Sequence, residues 1–149
     1  MTFSYDHNQS LGYLTALTSR LLSNMLTSRF QNADIDMTAE QWGAILVLMN
    51  DKALTQAQIG ERLHLEKSSV SRLINRLERR GWLIRTNDMT DGRQKIVEPT
   101  AKARGTVEHC ADIARTILEE AQLGLTEEER LLVKTLLLRI IGNLRVIAK

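Results

Sequence analysis

"LEKSSVSRLINRLERRGWLIR", Leu65 to Arg85, holds two patterns in one stretch. Val70, Leu73, Ile74 and Leu77 recur at three- and four-residue spacing, which marks a helix with one apolar face. Lys67, Ser68, Ser69, Ser71, Arg72, Asn75 and Arg76 fall on the opposite side. The spacing predicts a helix over 67–80, and Gly81 sits where a left-handed residue closes a helix. "WLIRTND" then reads as a strand, "MTDGRQ" as a turn in which Asp91-Gly92 is the hairpin signal, and "KIVEP" as the returning strand.

Upstream, Thr55 and Gln58 form a capping box that opens a short helix, with Ile59 and Leu63 facing the core and an end near His64. "KALT" before it is a short extended piece. Thr38 and Gln41 form another capping box ahead of "AEQWGAILVLMN", which is apolar around most of its circumference and is expected to be buried. Its Gly43 is expected to let another helix approach closely. Leu11, Leu14, Leu17, Leu21, Leu22, Met25 and Phe30 give an amphipathic helix over 9–31. Downstream, Pro99 ends the second strand and Thr100 can cap a helix over 100–123. Thr126 with Glu129 then opens a last helix over 127–147. The fold is therefore mainly α with a small β-hairpin wing: short helix, tight turn, basic helix and hairpin make a winged helix-turn-helix.

A chain of 149 residues with 43% hydrophobic and 26% charged residues is ordinary for one globular domain. No apolar run approaches the roughly 20 residues that a membrane span needs. "MTFSYDHNQS" has neither the basic start nor the apolar core of a signal peptide, so a cytoplasmic location is expected. The net charge is only +2, but Lys52 to Arg104 holds 12 Lys and Arg against 6 Asp and Glu. A basic middle between acidic flanks suits an anionic partner, although on charge alone a solvated surface explains it equally well.

A helix-turn-helix offers its second helix to the major groove, N-terminal end first. Ser68, Ser69 and Ser71 are short enough to let the backbone come close and can donate to phosphates or base edges, and Lys67 adds charge at the same end. Arg72, Asn75 and Arg76 reach further. Arginine can bind guanine O6 and N7 in bidentate fashion and asparagine adenine N6 and N7; which of them read bases stays open. Thr55 and Gln56, at the start of the supporting helix, are assigned to phosphate. At the hairpin tip Arg93, with Gln94 and Lys95, suits a narrow, negative minor groove. Asp91 is expected to hold the Arg93 guanidinium in one geometry. Arg79 and Arg80 are set aside, because cations in a last helical turn already suit the helix dipole. The competing readings are an amphipathic helix with a solvated face and an Asp-Gly pair that serves only as a turn.

"LTQAQIGERLHLEKSSVSRLINRLERRGWLIRTNDMTDGRQKIVEPTAKA" resembles the DNA-binding core of the MarR family of bacterial regulators. The helix-to-strand passage and the aspartate-x-arginine wing, here Asp91 and Arg93, carry the resemblance. The flanking helices extend it over nearly the whole chain. One departure is Pro99-Thr100, where the family more often has Leu-Thr; proline also suits a helix entry. The resemblance implies a homodimer whose first and last two helices intertwine, with 1–35 and 100–149 as the helical dimerisation region and 36–99 as the winged helix-turn-helix. Leu14, Leu137, Ile141 and Leu144 are placed in that interface. The residues agree independently: Leu132, Val133, Leu136, Leu137, Ile140, Ile141, Leu144 and Ile147 form more than one apolar stripe, and a second stripe needs a partner. A helix buried at the centre of a monomer is the competing account.

The family reading implies a repressor that binds double-stranded DNA at a pseudo-palindromic operator. It also implies a small-molecule effector, phenolic or otherwise aromatic, lodged between dimer helices and winged region near the first helix, the helix of Trp42 and the long helix around Cys110. From another class comes a winged-helix protein-interaction module without DNA binding. Other sites are weak. Oxidant-sensing relatives carry their reactive cysteine in the first helix, which has none here, so Cys110 is expected to be a buried apolar residue. His7, His64 and His109 lack metal-ligand spacing. Without a phosphate loop, nucleophile elbow or paired acids, no enzyme, cofactor or metal is expected.

Overall fold

The computed structural model describes residues 4–149. After a single 3-10 turn at His7–Gln9, the elements run α1 Leu11–Asn32, α2 Ala39–Asp51, β1 Leu54–Thr55, α3 Gln56–Leu63, α4 Lys67–Arg79, β2 Leu83–Asn87, β3 Lys95–Pro99, α5 Ala101–Ala121 and α6 Glu127–Ile147. The strands form one antiparallel sheet in the order β1-β3-β2. Leu54 pairs with Val97, and Arg85 faces the same Val97 from the other side. The mainly α fold with a small β wing is as the sequence reads it.

Helix starts follow local chemistry. Both halves of the capping box are made at Thr38/Gln41, Thr55/Gln58 and Thr126/Glu129. Ser10 caps α1 by accepting from the Tyr13 N–H, so that helix begins after a separate turn rather than at residue 9. Thr100 accepts from the Ala103 N–H at 3.2 Å and donates to the Gly81 carbonyl at 2.7 Å, tying the start of α5 to the end of α4. Gly81 has φ +79°, the left-handed closure that only glycine adopts freely.

Compactness divides the chain into a unit up to Ala114 and a unit from Arg115, a boundary inside α5. In the first unit, one core joins Phe30, Trp42, Ile45, Leu48, Ile59, Val70, Ile74, Leu77, Leu83, Val97 and Cys110. Trp42 meets Phe30 edge-to-face at 6.0 Å. Trp82 is buried with its indole N–H donating to the Asp36 carbonyl at 2.9 Å, and Lys102 lies 4.1 Å over its ring. The close helix approach expected at Gly43 occurs at Gly60 instead. A Cβ at Gly60 would stand 3.0 Å from Val70, whereas one at Gly43 would make only ordinary contact with Leu63. Gly60 thus sets how tightly α3 packs on α4. In the second unit, Gly124 turns the chain with φ +84°, and the Arg130 guanidinium donates to the Gln122 carbonyl at 3.2 Å. No residue of α6 is buried, which leaves the central-helix-of-a-monomer account without support.

Candidate nucleic-acid interface

Helix α4 sorts its residues as its periodicity requires. Val70, Leu73, Ile74 and Leu77 are 0–5% exposed, while Lys67, Ser68, Arg72, Asn75 and Arg76 are exposed and Ser69 and Ser71 half-buried. Burying four apolar side chains at about 1.5–3 kcal/mol each fixes which face is left for a partner. The start of α4 is unlike those of α1, α2, α3 and α6. Its N-cap is Glu66, and no side chain caps it, whereas the other four are capped by Ser10, Thr38, Thr55 and Thr126. The first-turn N–H groups of α4 are therefore left for an external acceptor.

The sequence-predicted residues divide between the two flanks of α4. Gln56, Lys67, Ser68 and Ser71 border one shallow hollow, where the start of α3 meets the start of α4. On the opposite flank Ser69, Arg72 and Arg76 line a cleft of about 700 Å³ together with Ser23 and Thr27 of α1 and Gln41 of α2. Arg80 enters the same cleft, donating to Gln41 at 3.1 Å and pairing with Asp36 at 3.2 Å. The cleft has walls from α1 and from the start of α2, as expected for an effector site, but its third wall is α4 rather than the region of α5 around Cys110.

Arg85 on β2 is a site residue that sequence reasoning missed. Its guanidinium donates to Glu78 at 2.9 Å, to the Asn75 side-chain oxygen at 2.7 Å and to the Gln56 side-chain oxygen at 3.1 Å. One strand residue thus ties the middle of α4 and the first residue of α3 to the sheet. Its own side chain is only 21% exposed. Thr55 spends its hydroxyl on the Gln58 N–H and stands at the mouth of α3 as a cap.

The turn expected over 89–94 is a loop over 88–94 between β2 and β3. Gly92 is not among the positive-φ residues, so Asp91-Gly92 does not form the mirror-image turn its sequence suggests. Asp88 and Asp91 each organise part of that loop. Asp88 accepts from the Thr90 N–H at 3.0 Å and the Thr90 hydroxyl at 2.9 Å, while its own N–H donates to the Gln94 carbonyl at 2.8 Å. Those donors hold the Asp88 carboxyl below its ordinary value. Asp91 accepts from the backbone N–H of Arg93 at 3.0 Å rather than from its guanidinium. The expected Asp91 clamp on the Arg93 side chain is therefore corrected: the carboxylate shapes the loop, and Arg93, Gln94 and Lys95 stand exposed at the tip. Cys110 is fully buried, and burial pushes its thiol up to about 11, the opposite of an activated thiolate. Among the described residues no His, Cys, Asp or Glu cluster has the make-up of a metal site, and no helix is long and apolar enough to cross a membrane.

A capped supporting helix, an uncapped basic helix and a three-stranded wing define the class: a winged helix-turn-helix protein. The MarR family model matches residues 35–94, the span from the capped start of α2 to the tip of the wing. The transcriptional regulator TtmR of Methylorubrum extorquens is 32% identical over 95 residues, covering 64% of this chain and 48% of that protein, so the match spans about half of that relative's length. A mutant MarR from E. coli, complexed with operator DNA, superposes with a TM-score of 0.82 at 20% identity over 93% of this chain and 99% of that one. BpsR of Bordetella bronchiseptica, whose DNA binding is regulated by 6-hydroxynicotinic acid, superposes with a TM-score of 0.80 at 22% identity, covering 93% and 97%. At these identities the two structural likenesses are ones of fold. The chain thus resembles the MarR family through residues 35–94, the winged region, and shares the fold of those structures.

Proposed function

We propose that the chain is a sequence-specific DNA-binding transcriptional regulator acting in the cytoplasm, a repressor that grips a pseudo-palindromic operator as a homodimer. One observation carries the reading. α4 seals its apolar face into the core while its polar face and its uncapped first turn stay open. Lys67, Ser68, Ser69 and Ser71 with the first-turn amides meet phosphates and base edges, Arg72, Asn75 and Arg76 reach further into the major groove, and Arg93 with Gln94 and Lys95 enters the minor groove. Thr55 caps α3, and Gln56 offers its amide to the backbone. The second copy is called for by Leu14, Leu137, Ile141 and Leu144, which are 38–58% exposed in the single chain.

The cleft between α1, α2 and α4 suits an anionic aromatic effector. Its arginines, Arg72 and Arg76, belong to the helix that faces DNA, so a ligand that draws them inward takes them from the groove. Such a ligand acts only through differential affinity for the free and DNA-bound arrangements. Titration of random-sequence and selected duplexes across a salt series tests the core of the proposal. A DNA binder loses affinity linearly in log salt, with a slope near −0.9 per phosphate neutralised. A protein-interaction module with the same fold shows no such affinity at any salt, and that result would overturn the reading.

A further inference from the structure

The contacts of Arg85 reach beyond holding elements together. A guanidinium has donors only, so the side-chain atom that faces it from an asparagine or glutamine must be the carbonyl oxygen. Arg85 meets Asn75 at 2.7 Å and Gln56 at 3.1 Å through the same terminal nitrogen, and Glu78 at 2.9 Å anchors the other. Both amides are thereby oriented by chemistry, independently of how their nitrogen and oxygen atoms are assigned. Their oxygens turn toward the half-buried arginine and their NH2 groups turn away from it.

That orientation changes what Asn75 can read. Pairing with adenine needs the amide oxygen and nitrogen side by side, the oxygen accepting from N6 and the nitrogen donating to N7. An asparagine whose oxygen is turned toward Arg85 puts its NH2 donor foremost and loses the side-by-side presentation that the adenine pair needs. In the major groove guanine offers two adjacent acceptors, O6 and N7, and thymine offers O4, whereas adenine offers N7 alone beside an NH2 donor and cytosine offers only an NH2 donor. Gln56, held in the same way, presents its donor where α3 starts, a polarity suited to phosphate.

We propose that Arg85 is the specificity-determining positioning residue of this interface: by holding the oxygens of Asn75 and Gln56, it makes Asn75 favour a keto base, guanine or thymine, at the strand position it faces, and denies adenine the bidentate pair that a free asparagine makes. The inference rests on the DNA-binding reading above.

The experiment is selection of duplexes from a random pool by the full-length protein and its variants. Asn75→Ala identifies the position facing Asn75 as the one whose base preference disappears. Wild type is expected to enrich guanine or thymine there. Arg85→Met frees the amide and raises the ratio of adenine to keto bases at that position by about tenfold or more, the scale of one bidentate pair. Arg85→Lys, which still donates, keeps the keto preference. Asn75→Asp lies on the exposed face and so leaves the core intact. It retains the Arg85 contact but turns an oxygen outward, moving the preference to the amino bases adenine and cytosine. That variant decides the matter even where Arg85→Met does not fold. Adenine at this position in wild type, an unchanged preference in Asn75→Asp, or no position lost in Asn75→Ala overturns the assignment. Failure of wild type to enrich any sequence or to bind DNA at low salt brings down the DNA-binding reading itself and is distinguishable from all three.

Discussion

Helices α4 and α6 are both apolar at helical spacing, yet they end in opposite conditions. α4 buries Val70, Leu73, Ile74 and Leu77 within its own chain. α6 carries Leu132, Leu136, Leu137, Ile141, Leu144 and Ile147 with none of them buried, and Ile147 is 78% exposed. Apolar periodicity therefore says that a helix has something to bury, not against what. The core of the same chain completes α4 and so fixes which polar face stays open, the face proposed for DNA. α6 leaves its apolar residues uncovered within the single chain, and the proposed homodimer would cover them with a second copy.

The comparison breaks most readily at α6. Placing glutamate at both Leu137 and Ile141 is expected to abolish the dimer and with it operator binding, or to unfold the chain, as read by sedimentation and duplex titration; a stable monomer that still holds its operator tightly would refute the contrast. Leu77→Ala strikes the other helix and should cost about 2–5 kcal/mol of folding stability in denaturant titration, because a residue with 0% exposure leaves a cavity. A loss below about 1 kcal/mol, typical of surface substitutions, would show that α4 is not seated as described. Arg93→Ala should weaken operator binding and lower the salt slope by about 1 while leaving the dimer intact; an unchanged slope removes the wing tip from the phosphate count. Thr126→Ala, which removes the cap of α6, should cost about 1 kcal/mol, and calorimetry at several protein concentrations reads whether that loss is felt through assembly. The smallest effect is at Cys110. With its thiol pushed up to about 11, alkylation at neutral pH should leave the folded protein unmodified, and reactivity should appear only as the pH approaches that value.

What could be read from the sequence was what acts over a few residues. Thr38, Thr55 and Thr126 each signal their helix through a partner three positions on, and Gly81 and Thr100 mark ends by chemistry that needs no distant neighbour. Arg85 could not be read in this way. Its partners lie 7, 10 and 29 residues away on two other elements, and only the β2–α4–α3 packing brings them together. At the wing the turn was legible and the role of Asp91 was not. Asp91-Gly92 marked the turn, but within the loop Asp88 bonds to Thr90 and Gln94 while Asp91 is occupied with the backbone amide of Arg93 rather than its guanidinium. An effector site was expected among α1, α2 and the part of α5 near Cys110, whereas the cleft beside α1 and α2 takes its third wall from Arg72 and Arg76, residues assigned to DNA alone.

The bare start of α4 has a consequence for motion. With Glu66 giving no side-chain bond to the first turn, the amides of Ser68 and Ser69 depend on solvent in the free protein and should exchange their hydrogens faster than those opening α2 or α3. A phosphate oxygen arriving there would act as the missing cap. Duplex binding would then tighten the helix it reads, and the slowing of exchange at those two serines would report the moment of engagement.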